Sequence, residues 1–213
     1  MPLAESGGRL QVDNGGLAGV ATPWIDARLV NALVVSNRAT IELSGGTALV
    51  IPDEVVVGPL GTLLCRATNH NATAGDRWIG AGVTITSAVI RVEAQGLITA
   101  SGQGYPGTIG AGSGPGGGTG TRNDTGGGGG GGGYGGNGGN PESPFVGGGP
   151  YGLLTQPDAL GSAGGAGYAG NGGAGGGAIH VVAGALQLDG ALAADGLDGQ
   201  ASYLGAAGGG AGG

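Results

Sequence analysis

Gly96-Leu97-Ile98-Thr99-Ala100-Ser101-Gly102 is answered 94 residues later by Gly190-Ala191-Leu192-Ala193-Ala194-Asp195-Gly196. Both stretches open on glycine, centre on an aliphatic residue (Ile98, Leu192) and close on an Ala-(Ser/Asp)-Gly turn signal. A second strand-like stretch precedes each copy, Val89-Ile90-Arg91-Val92-Glu93 in one case and Ile179-His180-Val181-Val182 in the other. One structural unit therefore occurs twice, with a glycine-rich block between the copies.

Outward from this match the chain reads as short strands. Apolar residues recur at i and i+2 in Leu33/Val35, Ile41/Leu43, Leu49/Ile51, Val55/Val57 and Leu63/Cys65, separated by Ser36-Asn37, Ser44-Gly45-Gly46, Pro52-Asp53 and Gly58-Pro59-Leu60-Gly61. A spacing of about eight residues is too short for βαβ units and suits strand–turn–strand winding. No segment carries a helical period. The expected fold is all-β, a short-strand solenoid of parallel β-helix type with a long Gly-rich insertion. Residues 1–101 supply its first strands, 102–177 the insertion, and 178–213 the returning strands and a Gly/Ala-rich end. Ile41, Leu43, Leu49, Ile51, Val55, Val57, Val92, Ile98, Leu186 and Leu192 are the expected core.

The stretches 90–107, 126–140 and 170–199 resemble glycine-rich bacterial surface and secreted proteins of the right-handed parallel β-helix type. In those, strand pairs ending in small-residue-Asp-Gly turns are followed by Gly-Gly-Gly-Asn-Gly-Gly runs. The resemblance implies the solenoid fold and a location outside the cytoplasm, and it transfers no catalytic residue.

The insertion holds 36 glycines in 76 residues and only five Val, Ile or Leu. Ordering one backbone residue costs about 1 to 2 kcal/mol, so fixing the block costs on the order of 100 kcal/mol, which five aliphatic side chains do not offset. Two forms remain open: a disordered linker, or a polyglycine-II-like bundle of extended three-residue-per-turn segments whose amides and carbonyls pair laterally. Tyr105, Tyr134, Phe145, Tyr151 and Tyr168 all lie in this block. Their plain reading is cover for bare backbone; their functional reading is a recognition surface for sugar or protein.

The charge inventory narrows the function. Fourteen acidic residues face seven arginines and no lysine, a net charge of -7, so the basic footprint of a nucleic-acid or anionic-membrane partner is missing. A phosphate-binding loop lacks its lysine, and Gly-x-Gly-x-x-Gly matches inside polyglycine carry no weight. No stretch is apolar enough for membrane insertion. Asp189, Asp195 and Asp198 read as turn residues and not as calcium ligands, and Asp53-Glu54 is the only adjacent acidic pair. His70 and His180 have no partner in the sequence for metal or general-base work. Cys65, in phase with Leu63, reads as a small buried hydrophobe.

No catalytic site, cofactor or metal is expected, and the chain is not expected to be an enzyme. The leading expectation is a structural subunit of an extracellular surface, filament or matrix assembly, its partner being other copies of itself, joined by strand and Gly-backbone pairing. The alternative is an adhesin or phage tail-fibre tip, on a virion, whose Gly-rich loops and exposed tyrosines bind a cell-surface glycan or protein.

Overall fold

The computed structural model describes residues 7–24, 30–122, 127–141, 144–153, 155, 157–201 and 205–213. Among these the chain is all-β, with strands β1 (Gly8–Asp13), β2 (Thr22–Pro23), β3 (Val30–Ser36), β4 (Thr40–Leu43), β5 (Ala48–Val57), β6 (Thr62–Cys65), β7 (Thr73–Ala74), β8 (Arg77–Trp78), β9 (Val83–Val92), β10 (Leu97–Thr99), β11 (Ile179–Leu188) and β12 (Ala191–Ala193).

The expectation of a single short-strand solenoid is corrected by how these strands pair. They form two parallel five-stranded sheets, one in the order β1-β3-β5-β9-β11 and the other β12-β10-β6-β4-β2, beside a small antiparallel β7-β8 pair. The chain alternates between the sheets, through tight turns after β3, β4, β5, β9 and β11, and strand length follows the sorting. Strands of six to ten residues make the first sheet, while strands of two to four residues make the second. The 94-residue match is a direct register between neighbours, with Leu97 opposite Ala191, Ile98 opposite Leu192 and Thr99 opposite Ala193.

Parallel pairing stacks like residues into buried columns. Leu33, Val55 and Ile90 form one, and Val35, Val57 and Val92 the next. Ile41, Leu63 and Ile98 form the matching column of the second sheet, with Leu43 beside Cys65. Pro52 lacks an amide hydrogen and sits where the β5–β9 register shifts between Ile51 and Glu54, which keeps the inward positions in phase on both sides.

The turns repeat as well. Arg38, Leu60 and Gln95 all adopt positive φ, at 66°, 59° and 69°, and the Arg38 N–H donates to Leu60 while the Leu60 N–H donates to Gln95. Gly96 follows Gln95, and a Cβ there would meet the Val57 carbonyl below it and the Glu93 carbonyl oxygen at 2.9 Å, so only glycine fits.

Eight of the ten expected core residues are buried, but Leu186 and Leu192 are 51% and 41% exposed. Both stand on inward positions: Leu192 pairs with Ile98, and Leu188 precedes Asp189 as Val92 precedes Glu93, each following N–H bonding to the strand before. They are exposed because β11 and β12 are the last strands of their sheets, and among the described residues no further strand covers them.

Two compact units result. The two-sheet unit comprises Met1–Cys65, Val83–Thr99 and His180–Ala193; the glycine-rich unit comprises Arg66–Gly82, Ala100–Ile179 and Ala194–Gly213. The latter is thus assembled from three separate stretches of chain.

Candidate functional site

The glycine-rich unit is held by backbone bonds with a period of three. Successive N–H groups from Gly129 to Gly133 donate to Ala206, Thr119, Gly139, Gly209 and Gly116, so that residues three apart return to the same neighbouring segment. The pattern recurs where Gly161 and Gly164 donate to Gly176 and Gly173, and where Gly173 and Gly176 donate to Gly208 and Ala211. This is the bonding of extended three-residue-per-turn segments packed side by side, with segment 129–133 sending its amides to several neighbours in turn. Cβ atoms are what such packing excludes: one at Gly130 would meet the Val146 carbonyl and the Gly147 nitrogen, the latter at 2.8 Å.

Bare segments leave the chemistry to the places where the chain reverses. Described residues beside five reversals of the chain, at 109–111, 121–122 and 127, 141 and 144–145, 167–170, and 200–201 and 205, gather around one end of segment 160–167. The Ala166 N–H donates to Gly110, the Gly129 N–H donates to Ala206, a Cβ at Gly120 would abut Ala166, and one at Gly128 would lie 3.6 Å from Pro141. Direct bonds tie the reversals together: Arg122 N–H to the Ile109 carbonyl (3.2 Å), Gln200 N–H to the Asn171 carbonyl (3.1 Å) and Asn171 N–H to Gln200 Oε1 (2.9 Å). Ile109, Arg122, Ala169 and Gln200 are exposed here, with Phe145 and Tyr168 half-buried among them. Residues 123–126, 142–143 and 202–204 lie outside the described residues.

The five aromatic candidates therefore separate. Phe145 and Tyr168 stand at the reversals. Tyr105, Tyr134 and Tyr151 stand near the other end of segment 160–167. Tyr105 is buried, its ring 5.0 Å from that of Trp78, and packs with Leu160 and Ala178. Tyr134 and Tyr151 meet edge to face with ring centroids 5.0 Å apart. The Tyr151 hydroxyl donates to the Leu160 carbonyl, accepts from Ser162 Oγ at 2.9 Å, and Ser162 Oγ in turn accepts from the Gly116 N–H at 2.9 Å. Burial raises the phenol pKa of all three above the ordinary value of 10. The Tyr134 hydroxyl is buried beside the Ala159 backbone without a hydrogen bond of ordinary geometry.

A groove of about 780 Å³ runs between segments 127–132, 137–141 and 205–210. Sequence reasoning gave no sign of it, because glycine runs carry no side-chain signal. Nor did it single out Arg122 or Gln200, whose only mark is that they flank the glycine segments.

His180 is exposed on β11. Glu54 is paired with Arg91, and Asp189 accepts from Gln187 Nε2 at 2.6 Å. Asp195 bonds Ser101, its sequence counterpart 94 residues away. Among the described residues no cluster of His, Cys, Asp and Glu has the makings of a metal site, and no helix is long and apolar enough to cross a membrane.

Comparison with family models, curated proteins and solved structures finds no match to this chain.

Proposed function

We propose that this chain is a recognition module of the adhesin or fibre-tip kind, working outside the cytoplasm, on a cell surface or a virion. Its contact surface is the cluster of reversals carrying Ile109, Arg122, Phe145, Tyr168 and Gln200, and its partner is a cell-surface glycan or protein. One observation carries the reading: five reversals with varied side chains are brought to one end of a unit whose segments are almost bare backbone. Such a scaffold fixes the described residues that flank its reversals, because any movement of one segment breaks bonds to its neighbours, and a fixed contact surface loses little entropy on binding. The backbone bonds of the bundle close within the chain, which leaves few of them to join copies.

The test is binding of the labelled protein to a panel of bacterial envelope preparations. Retention on at least one, lowered tenfold or more by Tyr168→Ala with Arg122→Ala, is the expected result. Retention on none, or retention indifferent to these changes, would overturn it.

The assembly reading keeps one specific observation in its favour. Leu186, Leu188 and Leu192 expose inward-type positions on the open strands β11 and β12, the kind of edge on which further strands add. Negative-stain images over a range of concentrations separate the two: filaments that lengthen with concentration support assembly, and discrete particles support recognition.

A further inference from the structure

The groove between segments 127–132, 137–141 and 205–210 has a chemistry of its own. Its walls are glycine, asparagine, proline and alanine, with no charged residue. Gly128, Gly139 and Gly209 stand one on each wall, and among the described residues their N–H groups donate to no other group, so each wall carries a backbone donor without a partner in the chain. The Gly128 carbonyl likewise accepts from nothing described. The groove is thus a fixed, electrically neutral array of backbone donors and acceptors, of a size that suits a small ligand.

The geometry points to a neutral oligosaccharide as the occupant. This deepens the recognition reading and rests on it. A protein loop binds chiefly through apolar anchors set in pockets, and this groove has none to offer. A charged ligand would find no countercharge. A flexible extended peptide would satisfy the amides, but ordering each residue costs about 1 to 2 kcal/mol. That offsets most or all of the roughly 0.5 to 1.5 kcal/mol that one hydrogen bond returns. A saccharide brings hydroxyls that both donate and accept on rings that are already stiff, so it pairs with the same array at a smaller loss of freedom.

Two glycines allow the groove to be blocked without disturbing the bundle. A Cβ at Gly139 meets nothing within 4 Å, and one at Gly209 comes no closer than 3.6 Å to the Leu197 carbonyl. Gly136, equally open, lies outside the groove and serves as the control. The experiment immobilises neutral tri- to hexasaccharides of glucose, galactose, mannose and N-acetylhexosamines, beside acidic counterparts bearing sialate or sulfate. Binding of at least one neutral member is expected, tenfold or more weaker in Gly139→Leu and in Gly209→Val and unchanged in Gly136→Leu. Binding to acidic members alone, to none, or equally by the wild type and Gly139→Leu would overturn the inference. If Gly139→Leu binds normally while Tyr168→Ala with Arg122→Ala loses retention on envelopes, the recognition reading stands and the groove is excluded from it.

Discussion

Ser87 shows how closely the sheet core is filled. It occupies an inward position opposite Ile51, is 6% exposed, and its hydroxyl has no partner among the described residues. An unsatisfied buried hydroxyl costs about 1 to 3 kcal/mol, so Ser87→Ala should raise stability by about 1 kcal/mol in denaturant unfolding. Cys65, at the end of a buried column, has its thiol pushed up to about 12 by burial. Native protein at neutral pH should resist alkylation by iodoacetamide and react fully once unfolded; labelling of the native form would contradict its placement. Tyr151 is the polar counterpart. Because burial raises its phenol pKa, this group adds no pH dependence to stability below its ordinary value of 10, and stability is lost as the pH climbs from there through the folded-state value. Tyr151→Phe leaves Ser162 and Leu160 short of a partner and should cost about 1 to 3 kcal/mol at neutral pH. It should also weaken that alkaline loss, measured by circular dichroism across the titration.

At the scale of elements, the strands were legible and their partners were not. The i, i+2 pattern located β3 to β6, and the 94-residue match located the pairing of β10 with β12, because parallel neighbours repeat each other's inward residues. The sorting of long and short strands into two sheets was hidden, since alternation fixes which face a residue takes and not which strand lies beside it. The exposure of Leu186 and Leu192 was hidden for a related reason: periodicity cannot tell the last strand of a sheet from an inner one. The glycine segments were less legible still. Their three-residue bonding period leaves no mark on a sequence with no side chains to vary, and only the flanking Ile109, Arg122, Phe145, Tyr168 and Gln200 signal the reversals. The physical cost of occupying these segments is testable within one run. Gly130→Val, which drives a side chain into Val146 and Gly147, should lower stability by more than about 3 kcal/mol as several buried amides lose partners at once. Gly136→Val, in open space, should change it by less than about 0.5 kcal/mol.

For the whole molecule, the deciding property is where the glycine backbone finds its partners. A unit whose amides are bonded inside one chain is a rigid holder for its loops, whereas one that awaits other copies is a building block. The two differ in how protection depends on concentration, and hydrogen exchange read by mass spectrometry over residues 127–133, 160–177 and 206–213 measures this directly. Dilute protein, run as a single species on a sizing column, should exchange these amides slowly, at rates unchanged when the protein is concentrated a hundredfold. Fast exchange in the dilute sample, with protection arising only as copies associate, would contradict the account.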